Sequence, residues 1–272
     1  VTQALLDGGH RAVGLCNVAI SLQRRLAARF EVEADRVGLD HVGLNHLTWE
    51  RSVTVDGEDR MDAILEDPSS YPGADEFPPE LVRALRAIPS PYLHYYYFPS
   101  EVLEHQRTHR SRAEEVMEIE AGLLELYRDP KLDEKPKLLE ERGGAFYSEA
   151  AAALVASLHA GTGDLQVVNI RNGGAIPGLP DDDVVEVPAR IDREGAHPVA
   201  TSPLAPEMLG IVQHAKAYER LTIDAAMTGD RTTARKALLA NPLVGDYRVA
   251  APLLDALLEA NRSFLPRFFT DG

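Results

Sequence analysis

Two pairs of strand-like segments most strongly limit the folds available to this chain. Residues 35–60 alternate apolar and polar side chains and carry an Asp-Gly turn, which predicts a pair of strands with "NHLTW" near their middle. Residues 163–192 predict two more strands around a loop rich in glycine and proline. Strands and helical segments do not alternate regularly along the chain. An α+β or α/β catalytic domain is therefore favoured over a doubly wound parallel sheet.

Helical periodicity predicts most of the remaining elements. An amphipathic helix follows "RAVGL", a short β-rich run that would place Cys16 at the end of a strand. A long helix is expected over residues 101–127, with Ser100 as its N-cap. An alanine-rich helix begins near Tyr147, and residues 206–264 are helical, with apolar side chains at three- and four-residue spacing.

Composition argues against several classes of function. The chain has 272 residues, of which 44% are apolar, so it can bury a substantial core. Its net charge of -15 argues against nucleic-acid binding, because a phosphate backbone requires a surface rich in Lys and Arg. Apolar runs fall far short of the ~20 residues that span a bilayer. We therefore expect a cytoplasmic protein without membrane contact, whose first residues, lacking a methionine, lie inside a domain.

Cys16, the single cysteine, and His46 are the first candidates for chemistry. One cysteine leaves no disulfide within the chain, so Cys16 is a buried small hydrophobe, a metal ligand or a nucleophile. Both residues come after a Gly-Leu pair, and neighbouring strands lie only ~5 Å apart, so both side chains could hold one divalent ion. From the residues alone, core packing of Cys16 and a hydrogen-bonded structural His46 are the commoner arrangement.

Five segments occur in an order that resembles a known enzyme family. They are "GLCN", "GLNHLTW", "KPKLLEERGGAFYSEAA", "VVNIRNGGAIPGLPDDDVVEVPA" and "ALLANPLVGD". Together they span nearly the whole chain and resemble glycoside hydrolase family 4, specifically its 6-phospho-β-glucosidase branch. The resemblance implies an α/β fold of α+β character, a C-terminal catalytic domain like that of lactate and malate dehydrogenases, with a mixed antiparallel sheet and many helices. It also implies that residues 1–20 end a dinucleotide-binding domain and that residues 21–272 form the substrate- and metal-binding domain.

The same resemblance implies an NAD- and metal-dependent mechanism, with manganese as the usual ion. It implies that Cys16 and His46 hold the metal and that Tyr147 is the catalytic base. In the family, NAD removes hydride from C3 of the sugar, and the ketone makes the C2 proton acidic enough for the tyrosine to take it. Elimination expels the aglycone, water adds, and NADH returns the hydride. The metal polarises the C3 oxygen as a Lewis acid.

The chemistry of a phenol is consistent with this role for Tyr147. A free phenol has a pKa of ~10, so it acts as a base near neutral pH only if a positive charge lies close by. A helix start also favours an anion there, because of the backbone dipole. The alternative is that Tyr147 is an aromatic anchor that packs its helix onto the core.

Asn17, Asn45 and Arg142 are the candidates for contact with the substrate. Family members that cleave α-linked sugars tend to carry an aspartate after the metal cysteine, so the resemblance implies that Asn17 marks a β-type enzyme and hydrogen-bonds a sugar hydroxyl. Asn45, beside His46, is a similar candidate. Arg142 could pair with the sugar phosphate through its planar fork, or be a solvated helix partner. No residue for NAD is identified, since the G-x-G-x-x-G fingerprint is missing from the sequence.

Three interpretations of function remain open. The first is a 6-phospho-β-glucosidase acting on a phosphorylated β-glucoside. The second keeps the family but changes the sugar to an unphosphorylated glucoside or a uronic acid, and the third is a non-catalytic truncated domain. Without an NAD-binding domain, this chain alone is expected to be inactive. The apolar C-terminal helices and the "YYYF" cluster, together with the resemblance, predict a homodimer or homotetramer.

Overall fold

An antiparallel sheet forms the centre of the fold in a computed structural model that describes residues 1–67, 76–143 and 146–269. Every strand pair within these residues is antiparallel. In chain order, the strands are β1 (Val37–Leu44), β2 (Leu47–Val55), β3 (Glu58–Asp59), β4 (Ile88–Pro89), β5 (Leu165–Arg171), β6 (Val184–Ile191) and β7 (Ala196–Pro198).

The sheet joins the two strand pairs that the sequence predicts. Its order is β3-β2-β1-β6-β5, with β4 beside β2 and β7 beside β6. The hairpin of β1 and β2 pairs Leu44 with Leu47, and β5 runs against β6 so that Asn169 pairs with Glu186. Where the two hairpins meet, Gly43 pairs with Glu186. The "GLNH" motif therefore lies beside the middle of β6.

α-Helices make up most of the other described residues. They are α1 (Thr2–Asp7), α2 (Val18–Phe30), α3 (Met61–Glu66), α4 (Pro79–Leu85), α5 (His94–Tyr97), α6 (Pro99–Thr108), α7 (Arg112–Leu126), α8 (Leu138–Arg142), α9 (Tyr147–Ala160), α10 (Pro206–Thr228), α11 (Arg231–Ala240) and α12 (Tyr247–Ala260). No described helix is both long and apolar enough to cross a bilayer.

The expectation of one long helix over residues 101–127 is wrong, because α6 and α7 divide this stretch. His109 is extended between them. Ser111 starts α7 with a capping box, in which its hydroxyl accepts the N–H of Glu114 and the Glu114 carboxylate accepts the N–H of Ser111. Ser100 lies inside α6 and does not cap it. The local cap at Ser111 therefore outweighs the continuous helical propensity of the sequence.

The regular strand expected before Cys16 does not form. Within the described residues 11–15, the structure has one isolated bridge, between Gly14 and Asn169. Glycine is required at this close approach, since a Cβ on Gly14 would lie 2.9 Å from the Cβ of Asn169. The bridge still carries Cys16 to the place where β5, β6 and β1 lie side by side. The position of Cys16 thus depends on backbone contact with β5 and not on a regular strand.

The main core lies against the sheet. Trp49 of β2 and Leu26 of α2 are fully buried in it. A smaller apolar cluster holds the C-terminal helices together through Ala225, Ala234, Leu254 and Leu258. This antiparallel sheet with many helices confirms the predicted α/β class with α+β character.

Candidate functional site

Cys16 lies buried at the start of α2, with only 4% of its surface exposed. Its sulfur accepts hydrogen bonds from the backbone N–H groups of Val18 and His46. Burial and the charge of the neighbouring Glu186 raise the pKa of the Cys16 thiol to about 12, although the two N–H groups favour the thiolate. Without a cation nearby, Cys16 is therefore a neutral thiol near neutral pH.

His46 occupies the turn between β1 and β2, in a left-handed conformation with φ of 66°. Such a conformation costs a non-glycine residue of order 1–3 kcal/mol, so the surrounding structure must hold it in place. Gly43 permits the turn, because a Cβ there would overlap the carbonyl oxygen of Leu47. The imidazole stacks on the ring of Tyr92 with centroids 4.1 Å apart and planes 6° apart. Burial lowers the pKa of His46, and the charge of Glu186 opposes this shift.

Tyr147 begins α9, as predicted, and its hydroxyl accepts the backbone N–H of Asn17. Burial raises the pKa of Tyr147, and so does the nearby Cys16. Arg24 of α2 fixes this end of α9, since its guanidinium lies 4.6 Å from the centroid of the Phe146 ring and pairs with the carboxylate of Glu149. The phenol therefore lies close to Cys16.

The structure thus brings Cys16, His46 and Tyr147 together. The sulfur of Cys16 contacts the backbone of His46, and the phenol contacts the residue that follows Cys16. Glu186 acts electrostatically on all three side chains. Because these residues are distant in sequence, the arrangement comes from packing of α2, the β1–β2 turn and α9 against one another.

Glu186 is a site residue that sequence reasoning missed. It is fully buried in β6, and its carboxylate accepts hydrogen bonds from Asn169 Nδ2 at 2.7 Å and Asn45 Nδ2 at 3.0 Å. Its other oxygen lies 2.9 Å from His41 Nε2. The signal was a carboxylate in the middle of the apolar run "VVEV", where a strand buried on both faces would ordinarily carry another valine.

His41 lies between two buried carboxylates and was also missed. Its Nδ1 contacts Glu50 of β2, and its Nε2 contacts Glu186 of β6. Burial lowers the pKa of His41, but the charge of Glu50 and the hydrogen bonds to Glu186 and Glu50 outweigh it and raise the pKa to about 10. Burial likewise opposes ionisation of Glu186, yet its hydrogen bond with His41 and the charge of His41 hold its pKa below the usual range. His41 is therefore an imidazolium beside an ionised Glu186 near neutral pH.

The three candidate substrate residues differ in their surroundings. Asn17 lines a cavity of about 390 Å³ together with Tyr92 and Glu50. Asn45 donates from its amide to Glu186. Arg142, at the end of α8, is half exposed and pairs with Glu120 of α7, with Nε 2.9 Å from Oε1.

The donors at Cys16 and His46 suit a divalent transition metal, since thiolate and imidazole nitrogen are common ligands of such ions. Within the described ranges, Glu50 and Glu186 share one cationic partner, His41, and this arrangement also favours a bound cation there. Among the described residues, Asp192, Glu194 and His197 form the only group of three such side chains whose ligand atoms all lie within 4.8 Å, and it is largely exposed. Cys16 and His46 therefore offer two protein ligands rather than a closed cage, which leaves coordination positions for a substrate.

Comparison with protein families matches residues 41–244 to the "Family 4 glycosyl hydrolase C-terminal domain". A "Probable 6-phospho-beta-glucosidase" of Bacillus subtilis (strain 168) is 41% identical over 284 residues, which cover 99% of this chain and 64% of that protein. A 6-phospho-β-glucosidase of Thermotoga maritima is 39% identical over 257 residues, covering 93% of this chain and 61% of that protein.

A solved structure of the Thermotoga maritima 6-phospho-β-glucosidase with manganese, NAD+ and glucose-6-phosphate superimposes with a TM-score of 0.89 at 37% identity. The match covers 97% of this chain and 63% of that one. The chain therefore spans less than two thirds of the length of these relatives.

Proposed function

Because this chain belongs to glycosyl hydrolase family 4, through the C-terminal domain of that family, we propose that it is the substrate- and metal-binding part of a 6-phospho-β-glucosidase. The enzyme would use NAD and manganese to cleave phosphorylated β-glucosides. The observation that carries this proposal is the convergence of Cys16, His46 and Tyr147. The relatives at 41% and 39% identity, both described as 6-phospho-β-glucosidases, support the β-linked phosphorylated substrate.

Cys16 and His46 would hold the divalent ion. The ion would supply Lewis-acid polarisation at the C3 oxygen of the sugar. The turn that carries His46 and the stack on Tyr92 fix the imidazole, so that its orientation is set before any ligand enters. The N–H groups of Val18 and His46 stabilise the sulfur as a thiolate once a cation offsets the effect of burial.

Tyr147 would accept the proton of C2 at its Oη. Its hydroxyl already receives the N–H of Asn17, a contact that favours the phenolate over the phenol. Tyr92 is a second candidate base, because its ring stacks on His46 and its phenol lies close enough to Cys16 for that residue to raise its pKa. Burial raises the pKa of Tyr92 as it does that of Tyr147, so either phenol needs a nearby cation to act as a base.

The other assignments of the sequence analysis stay predictions. Asn17 would contact a sugar hydroxyl from the wall of the cavity. Arg142 would release Glu120 and bind the sugar phosphate instead. Asn45 would contact the substrate through the hydrogen-bonding groups of its side-chain amide that do not bind Glu186. The division at residue 20, the cytoplasmic location and a homodimer or homotetramer are predictions of the same kind.

The proposal is tested by joining this chain to the N-terminal part of the Thermotoga maritima relative, of which it matches 61%. The chimera should hydrolyse a chromogenic 6-phospho-β-glucoside only when NAD and Mn²⁺ are both present. It should act poorly on the unphosphorylated glucoside, and this chain alone should be inactive. Turnover by the chimera in the absence of metal and NAD would contradict the proposal.

The two tyrosines are separated in the same chimera. Tyr147→Phe should lower kcat by about 10²–10⁴-fold with little change in KM, because a general base is lost while the ring remains. Tyr92→Phe is the matched control, since phenylalanine preserves the stack on His46. If Tyr92→Phe abolishes turnover and Tyr147→Phe does not, the role of the base passes to Tyr92.

A further inference from the structure

Glu186 is held more tightly than a carboxylate that merely fills space in a sheet. Donors from three directions converge on it: His41 from β1, Asn169 from β5 and Asn45 from the β1–β2 turn. The Cys16 thiol also lies beside Glu186. These contacts occupy both oxygens, so the carboxylate has one orientation.

His41 explains how this carboxylate is kept charged in the interior. Its ring bridges Glu50 and Glu186, and all three side chains are at most 3% exposed. Within the part of the chain that the structure describes, Glu50 Oε2 is buried without a hydrogen-bond partner. Glu50 and Glu186 therefore share one imidazole, which contacts Glu50 through Nδ1 and holds Glu186 through Nε2.

Stability alone does not account for such a group. Buried charges lose hydration, and replacing them with well-packed apolar residues is often neutral or stabilising. Glu186 also lies in an otherwise apolar part of β6, where Val185 and Val187 flank it, fully buried. A role at the neighbouring site is the better explanation for a charge at this position.

We propose that Glu186 is a positioning residue that orients Cys16 and His46 for the divalent cation, and that His41 holds Glu186 in place from behind. A thiolate that binds a cation has no proton to donate to Glu186, so Glu186 positions the sulfur through the β1–β2 turn, whose His46 N–H the sulfur accepts. Through Asn45 it also fixes the turn that carries His46. Glu186 does not join Cys16 and His46 in a group of three ligand atoms within 4.8 Å, which distinguishes its role from that of a third ligand. The proposal depends on the metal site of the proposed function.

The test measures the affinity of this chain for Mn²⁺ near neutral pH, from the loss of the electron paramagnetic resonance signal of free Mn²⁺. Glu186→Gln preserves the shape of the side chain and should weaken binding by about 10- to 100-fold, the usual effect of removing a group that supports a metal ligand. Asp183→Asn is the matched control. Asp183 is equally buried just before β6, but it pairs with Lys216 and Arg220, away from the sulfur.

Asp183→Asn should lower the melting temperature and leave the Mn²⁺ affinity unchanged. Asn169→Ala, which keeps the charge of Glu186 but removes one donor that fixes it, should weaken binding by a smaller factor than Glu186→Gln. If Glu186→Gln does not fold, the Mn²⁺ affinity of Asn169→Ala decides the test. Wild-type affinity in Asn169→Ala and in folded Glu186→Gln would overturn the inference. Failure of the wild-type chain to bind Mn²⁺ would instead overturn the metal site of the proposed function.

Discussion

Two groups of buried charges lie close together on the sheet, but among the residues that the structure describes only one of them is balanced by partners of opposite charge. Before β6, Lys216 lies 3.7 Å from Asp183 and 2.7 Å from Glu219, and Arg220 also reaches Asp183. In the second group, Glu186 of β6 and Glu50 of β2 share His41 of β1 as their one cationic partner among the described residues.

The difference separates a structural group of charges from one suited to a ligand. The group around Lys216 ties α10 and α1 to the sheet, since Lys216 also donates to the carbonyl of Val184 and to Gln3. The group around Glu186 keeps an excess of negative charge beside a thiol and an imidazole. Substitutions in the first group should therefore change stability, and substitutions in the second should change cation binding.

The largest expected effect on stability comes from Lys216→Met. This change leaves Asp183 buried with a single cation, and breaking a buried ion pair costs about 3–5 kcal/mol of the free energy of unfolding. Urea unfolding measures the loss, and Mn²⁺ affinity should stay unchanged. Arg231→Met, which breaks an exposed pair with Asp255, is the control and should cost about 1 kcal/mol or less. A loss of similar size in both variants would contradict the comparison.

The pH dependence of the free energy of unfolding should report on the group formed by His41, Glu50 and Glu186. The pKa of His41 is about 10 in the folded chain, where Glu50 of β2 and Glu186 of β6 raise it, against 6.5 for an ordinary solvated histidine, as in the unfolded chain. Between these two pH values, the folded state binds one more proton than the unfolded state. The stabilisation is complete below the lower value and is lost as pH rises through the higher one.

Unfolding free energies measured across this range should fall towards alkaline pH. In Glu50→Gln the decline should be smaller and should end closer to neutral pH, because the main charge that raises the pKa of His41 in the folded chain is gone. A nitrogen-15 NMR titration of the His41 ring checks the assignment directly. An imidazole that titrates near 6.5 in the wild-type chain would show that His41 is neutral and that the group is wrongly described.

The smallest expected effect is that of Arg142→Ala. The pair with Glu120 is half exposed, so its loss should change the free energy of unfolding by about 1 kcal/mol or less. If Arg142 binds the sugar phosphate, KM of the chimera for the phosphorylated substrate should rise while kcat changes little. Glu120→Ala is the control, since it frees the guanidinium. An unchanged KM in Arg142→Ala would remove this residue from the substrate site.

The sequence predicted the two strand pairs because their alternation is local and strong. It failed over residues 101–127, where helical propensity is continuous and the break depends on the cap at Ser111. The capping-box pattern "SRAE" was present and was the signal that should have divided the helix.

The residues of the site also differ in how far the sequence could identify them. Cys16 and His46 were candidates from their residue types and positions, and the family resemblance implied their role and that of Tyr147. The proximity of the three depends on long-range packing, which no single segment of the sequence shows. Glu186 could have been suspected from its apolar neighbours in "VVEV". Tyr92 could not, because its role in the site arises from a stack on His46, a residue far away in sequence.

The most direct test of the central claim is a titration of this chain with Co²⁺, which binds such sites more tightly than Mn²⁺. We predict a thiolate-to-cobalt charge-transfer band in the near ultraviolet that saturates at one equivalent, is absent in Cys16→Ser, is weakened in His46→Ala and is unchanged in Asp183→Asn. A wild-type chain that shows no such band, or a band that persists in Cys16→Ser, would contradict the claim that Cys16 and His46 hold a common cation.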